Sequence, residues 1–123
     1  MIYPDLSYLI TGVCFAVHNT MGRFSRESQY GDLLESKFKE SKMNFVREYR
    51  FGESGNIIDF LIEDKIVLEI KAKPLILKED FVQTQRYLQS LNKQLGLIVN
   101  FRNRYLKPVR IVRIDTDVKK RFS

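Results

Sequence analysis

The chain has one cysteine and one histidine among its 123 residues, and each scarcity removes a class of function. Cys14 has no partner for an internal disulfide, and no Cys/His cluster has zinc spacing, so a disulfide scaffold and a zinc module are both excluded. The chain therefore reads as intracellular and cytoplasmic. It also lacks a long hydrophobic run. The apolar stretch from Tyr8 to Val17 is too short to span a bilayer, follows Asp5 instead of a basic segment and contains no cleavage site, so it reads as a core helix and not as a membrane or export signal. Internal repeats, low-complexity segments and linkers longer than a turn are missing as well. What is present is 44% hydrophobic content over a length that supports one core, giving a single domain over residues 1–123.

Net charge is absent from most of the chain. Met1 to Phe101 carry equal numbers of basic and acidic residues, and the whole formal charge of +6 falls after them. There Arg102, Arg104, Lys107, Arg110, Arg113, Lys119, Lys120 and Arg121 face only Asp115 and Asp117. A basic C-terminal segment, 102–123, suits a polyanion such as nucleic acid; a solvated strand followed by a basic terminus accounts for it equally well.

Periodicity supplies the elements. Leu6, Leu9, Ile10, Val13, Val17 and Met21 recur at helical spacing up to a break at Gly22. A second helix, with Ser25 as N-cap, puts Tyr30, Leu33, Leu34 and Phe38 on its apolar face and ends near Lys42. A strand from Asn44 to Phe51, a turn at Gly52–Gly55 and two apolar runs, Ile57–Ile62 and Ile66–Lys71, form an antiparallel meander hinged at Glu63-Asp64-Lys65. A helix between Lys78 and Asn92 crosses over to a buried strand, Leu95–Phe101, and an edge strand, Val109–Ile114, alternates apolar residues with arginine. The order ααβββαββ implies an α/β fold with a mixed central sheet flanked by helices.

Two acids and a lysine stand inside that apolar hairpin: Asp59, Glu69 and Lys71. An unpaired carboxylate costs several kcal/mol or more to desolvate, so the three are either mutually paired or gathered around a cation. Asp59 and Glu69 are hard oxygen ligands, and Mg²⁺ accepts one or two carboxylates with waters and a substrate phosphate; the Ile70 carbonyl is a candidate third ligand. Lys71 lies two residues from Glu69 on the same strand face, placed to orient a water or neutralise a phosphorane-like transition state. Val67 shares that face, leaving Ile66, Leu68 and Ile70 for the core. For the acids to share a face, Ile62 must lie opposite Ile66 across a three-residue loop, or a bulge must correct the register. The competing account is an ion-pair cluster, with Asp59 on Lys71 and Glu69 on Lys73 or Arg47.

Asp59, followed after nine residues by Glu69-Ile70-Lys71 on a hairpin with a helix before it and a helix and strand after it, resembles the PD-(D/E)XK nuclease superfamily. A more specific likeness, to its small GxxExxY branch, rests on Val17-His18, Met21-Gly22, Glu27 with Tyr30, Gln83 with Tyr87-Leu88, and Leu95 to Phe101. Phe24 stands at the second glycine position of the branch pattern, and Ile58 replaces the proline that often precedes the first acid. The resemblance implies a restriction-endonuclease-like core and a Mg²⁺- or Mn²⁺-dependent phosphodiesterase, an endonuclease or exonuclease acting on DNA or RNA. It also implies that Glu27 and Gln83 join Asp59, Glu69 and Lys71 in the site. Arg102, Arg104, Arg110 and Arg113 would hold the nucleic-acid backbone, and a second copy or protein partner would be needed to cut both strands. Bland alternatives stand beside these roles: Glu27 complementing a helix dipole, Gln83 as an exposed helix residue, His18 as a structural residue, Tyr30 and Tyr87 as core tyrosines. A catalytically silent nucleic-acid-binding or protein-assembly module on the same fold is the alternative function.

Overall fold

A computed structural model describes residues 1–114. The sequence-predicted basic residues Lys119, Lys120 and Arg121, with Asp115 and Asp117, lie outside the described residues. The elements are α1 (Pro4–Met21), α2 (Glu27–Glu40), β1 (Phe45–Phe51), β2 (Asn56–Ile62), β3 (Ile66–Lys71), α3 (Lys78–Leu91), β4 (Leu95–Asn100) and β5 (Val109–Val112). Pro4 sits in the first turn of α1, where its missing N–H is one that no helix satisfies internally. Gly22 closes the helix at φ 76°, its N–H donating to the His18 carbonyl at 2.8 Å, a backbone state that glycine adopts without a Cβ penalty. Helix α2 starts one residue later than Ser25 suggests. Arg26 is the N-cap and donates its N–H to the Gln29 side chain at 2.8 Å, whereas the Ser25 N–H is taken by the Tyr30 hydroxyl at 3.2 Å. No described helix is long and apolar enough to cross a membrane.

The sheet has the order β1-β2-β3-β4-β5. The first three strands form the antiparallel meander, α3 crosses over to place β4 parallel to β3, and β5 returns antiparallel on the far edge. Ile62 lies opposite Ile66, so the hairpin loop is Glu63-Asp64-Lys65, the parity that puts Asp59 opposite Glu69.

One face of the sheet, with Phe60, Ile62, Leu68, Ile70 and Val99, packs against Ile10, Val17, Leu34 and Phe38 of α1 and α2. The other face, read from the sequence as the chemical one, is covered as well. Val67 and Glu69 are buried there, in a second apolar layer in which Ile58, Leu61 and Ile98 pack with Leu88 of α3. The parallel β3–β4 pair requires a crossover, and the crossover helix covers what alternation alone left exposed.

The β1–β2 ribbon also rolls over along its length. Arg47 pairs with Phe60 and Tyr49 with Ile58, but Glu48 and Asp59 drop out of the ladder between them, and Glu48 has a φ of 54°. Before this point Phe45 packs with Phe60 on the α1/α2 side; beyond it Tyr49, Phe51 and Ile58 pack on the α3 side.

Candidate active site

Asp59 occupies the point at which β2 changes face, and this frees its side chain to reach across to β3. Its Oδ2 accepts the Ile70 N–H at 2.6 Å, while its own N–H donates to Oε1 of Glu69 at 3.4 Å. Each strand's backbone is thereby bonded to the other strand's acid. Glu69 is 5% exposed and Asp59 half-buried, and neither has a lysine or arginine nitrogen within 4.0 Å among the described residues. The ion pairs expected of a purely structural cluster are made elsewhere. Arg47 holds Asp32 at 2.7 Å and Glu35 at 3.0 Å, and Lys73 holds Asp80 at 2.5 Å.

Burial and proximity raise the proton affinity of both acids. Desolvation, then the neighbouring Asp59 charge, pushes the Glu69 carboxyl up to about 8. Asp59 is raised as well, by desolvation first and by Glu27, against the opposing pull of the Ile70 N–H and Lys71. Lys71 lies with its Nζ 3.9 Å from Oδ1 of Asp80, close enough for its charge to act on both acids without closing an ion pair to either. Asp80 sits between the two lysines at the start of α3, where its Oδ2 also caps the Leu77 N–H at 2.7 Å. Desolvation opposes its ionisation, but Lys73 and the Leu77 N–H outweigh that and hold it below the usual carboxylate range.

A cleft of about 200 Å³ opens on Asp59, bordered by Glu27, Ser28 and Gly31 of α2, Arg47 and Glu48 of β1, and Phe60 and Ile70. Glu27 therefore stands at its rim, on the first turn of α2. Gln83 does not line it; it borders a separate groove with Asn56, Arg86 and Tyr87. Tyr87, one turn further along α3, is the nearer residue electrically: burial raises its phenol, and so do the charges of Glu69 and Asp59. Of the four arginines, Arg102 donates to the carbonyls of Arg23 and Ala72 at 3.1 and 3.2 Å, Arg110 to Ser7 Oγ and the Ile2 carbonyl at 2.7 and 2.8 Å, and Arg113 to Asn92 at 2.5 Å. Arg104 is exposed and stacks 5.4 Å from the Tyr105 ring centroid. His18 Nε2 donates to the Asn103 carbonyl at 2.9 Å, and the Tyr30 hydroxyl donates to Gly22 O at 2.6 Å, so both serve the structure.

Three residues escaped the sequence reading: Glu48, Asp80 and Asn100. Glu48 had one available signal, an acid opposite Asp59 in the hairpin register. Asp80 follows Lys71 at the end of β3 and Lys73 just beyond it, a Lys-x-Lys pair that an acid at the next helix start is placed to meet. Asn100, 1% exposed, holds the loop after β3 by accepting the Lys73 N–H at 3.2 Å and donating to its carbonyl at 2.8 Å; nothing in its apolar strand announced this.

The donor set suits a hard divalent cation: two opposed carboxylates with no ion-paired cation among the described residues, Asp59 and the Ile70 backbone both lining the cleft. No group of three or more His, Cys, Asp or Glu side chains converges to hold a metal among the described residues, so waters and substrate would complete the shell.

Residues 4–114 match the family described as the PD-(D/E)XK nuclease superfamily, whose members generally use divalent metal ions. Two solved structures share the fold. One, the crystal structure of SSO0001, superposes with a TM-score of 0.54 at 24% identity over 76% of this chain and 54% of its own. The other, an alkaline exonuclease (LHK-Exo) from Laribacter hongkongensis, has a TM-score of 0.53 at 14% identity over 98% of this chain and 75% of its own. The chain thus spans about half the length of the first and three quarters of the second. No curated protein matches it.

Proposed function

The chain belongs to the PD-(D/E)XK nuclease superfamily, and from that premise we propose that it is a Mg²⁺- or Mn²⁺-dependent phosphodiesterase that cleaves DNA or RNA. The observation that carries this reading is the opposed, unneutralised pair Asp59 and Glu69, buried beside a lysine whose charge reaches both. A structural ion-pair cluster would place a cation against each acid; here the nearby cations are held by Asp80, Asp32 and Glu35.

Asp59, Glu69 and the Ile70 carbonyl are the groups that would hold the cation. The cation would supply Lewis-acid stabilisation of charge developing on the phosphate and would acidify an attacking water. Lys71 is anchored by Asp80 at the same end of β3 and brings positive charge to the scissile group, where it orients water and offsets transition-state charge. Glu27 and Glu48 at the rim of the cleft offer further carboxylate oxygens to waters there. Gln83, outside the cleft, would act only through Tyr87 or the nucleic acid beyond it. A single domain carries one such site, so cutting both strands calls for a second copy or a partner.

The test is cleavage of labelled single- and double-stranded DNAs and RNAs with Mg²⁺, Mn²⁺ or EDTA, in wild type, Asp59→Asn, Glu69→Gln and Lys71→Ala. Metal-dependent cleavage lost in all three variants is the expected result. Binding without cleavage under every metal condition would reject the enzyme and leave a silent nucleic-acid-binding module.

A further inference from the structure

A second cleft, of about 500 Å³, lies apart from the acid pair and is lined by Arg23, Phe24, Pro74, Arg102, Arg104 and Tyr105, with Asn103 between. Its aromatics are unusual. Phe24 keeps 76% of its surface exposed and Tyr105 keeps 78%, and both rings carry guanidinium groups: Arg23 at 4.9 Å and Arg102 at 5.6 Å from the Phe24 centroid, Arg104 at 5.4 Å from that of Tyr105. None of these three arginines has a carboxylate within 4.0 Å among the described residues, whereas Arg47 in the first cleft has two.

The frame that presents them is fixed. Nε of Arg23 donates to the Arg102 carbonyl at 2.8 Å and Nε of Arg102 returns a bond to the Arg23 carbonyl at 3.1 Å, clasping the α1–α2 loop to the loop after β4. A second donor of Arg102 reaches the Ala72 carbonyl at 3.2 Å, tying in the segment that follows Lys71. Lys71 pairs in register with Asn100 at the carboxyl ends of the parallel strands β3 and β4, and the cleft is built from Pro74 and Arg102 to Tyr105, beyond those ends, with Arg23 and Phe24 of the α1–α2 loop. Ligands of open α/β sheets approach that end.

Exposed aromatic rings interleaved with uncompensated arginines suit one ligand chemistry, unpaired bases on a phosphate backbone. Bases in a duplex are already stacked and paired, so a ring has nothing to receive there. We propose that Phe24 and Tyr105 form a base-stacking subsite for single-stranded nucleic acid, with Arg23 and Arg104 on its phosphates. This rests on the nuclease reading for the identity of the polymer, but not for its outcome in the test.

The chain contains no tryptophan, so Phe24→Trp installs a sole indole whose fluorescence reports stacking directly. In EDTA, so that no cleavage occurs, a 12-nucleotide oligo-dT should quench it, while an abasic oligonucleotide of equal length and a blunt duplex should not. Fluorescein-labelled oligo-dT should bind Phe24→Ala and Tyr105→Ala roughly 5- to 150-fold more weakly than wild type, the span measured for losing one base–aromatic stack. Duplex affinity should be unchanged, and Tyr105→Phe should restore single-strand binding. Equal quenching by the abasic strand, or single-strand affinity unaffected by both alanines, overturns the proposal. Because binding is read without metal, a protein that stacks oligo-dT yet cleaves nothing leaves the subsite standing and the nuclease reading rejected; cleavage with dispensable aromatics does the reverse.

Discussion

Replacing Glu69 by glutamine should make the metal-free protein more stable at alkaline pH, and the direction follows from the site itself. The carboxyl is raised from 4.5 to about 8 by burial and by Asp59. Between those values the folded state binds a proton that the unfolded state has released, so wild-type stability falls as pH rises through that window. The penalty is absent below the unfolded pKa and complete above the folded one. At 1.36 kcal/mol per pH unit it amounts to on the order of 5 kcal/mol, a large part of the stability of a domain this size. Asp59, also raised, adds to the same slope. Glutamine keeps an acceptor for the Asp59 N–H and removes the charge. Urea unfolding in EDTA from pH 4.5 to 8.5 should therefore show a falling wild-type curve and a flatter one for Glu69→Gln, with the variant ahead by several kcal/mol at the alkaline end. Divalent cation should narrow the gap: at a hundredfold excess over its Kd, Mn²⁺ would add about 2.7 kcal/mol to wild type and little to the variant. Parallel pH–stability curves for the two proteins would refute the claim that Glu69 is held in a poorly solvated, like-charged pair.

Lys71→Ala should separate chemistry from metal binding: the Mn²⁺-induced stabilisation persists while turnover falls by roughly 10²–10³, and loss of the metal effect in a thermal melt would make the lysine structural. Asp59→Asn should lose both. Salt titrations of nucleic-acid affinity should divide the arginines, with Arg104→Ala reducing the log–log slope by about 1. Arg110→Ala should leave that slope unchanged and lower the urea midpoint, since its guanidinium holds Ser7 and Ile2; the opposite pattern would exchange their roles. Gly96→Ala would bring a Cβ to 2.9 Å from Thr84 Cγ2 and push α3 off the sheet, for a destabilisation of about 1–3 kcal/mol; an unchanged urea midpoint would mean that the helix yields freely.

The fold was legible where periodicity and parity carry it. The meander, the crossover helix and the three-residue loop between Ile62 and Ile66 all follow from the apolar runs and their lengths. Alternation failed at two places, for different reasons. It separates the face of Val67 and Glu69 from the core face of Ile66, Leu68 and Ile70, but does not show that the crossover helix α3 buries it in a second apolar layer. Nor can it see a change of face within a strand: Ile58 belongs with Leu61 and not with Phe60, because the backbone at Glu48 and Asp59 leaves the ladder. The arginines were legible as charge but not as structure. A count of +6 cannot tell Arg110, spent on the N-terminal segment, from Arg104, which faces solvent.

That roll of the β1–β2 ribbon is what allows one acid pair to be both buried and reachable. Glu69 stays under α3, near enough to Tyr87 to perturb its phenol, while Asp59 turns its carboxylate to the Ile70 N–H at the edge of the α2-side cleft. The rim of that cleft is acidic, with Glu27 and Glu48 exposed and Arg47 neutralised by Asp32 and Glu35. A phosphate brought there alone meets repulsion from the carboxylates of Glu27, Glu48 and Asp59. The positive charge without a carboxylate partner among the described residues lies instead on Arg23 and Arg104, around the second cleft, while Lys71 and Lys73 share Asp80. On this division of charge, nucleic acid should bind beside the acids without a cation, and its phosphate should approach Asp59 only with one. Removing divalent metal should leave binding largely intact and abolish cleavage, whereas a protein whose affinity vanishes in EDTA would place the main binding surface inside the acidic cleft and refute this division of charge.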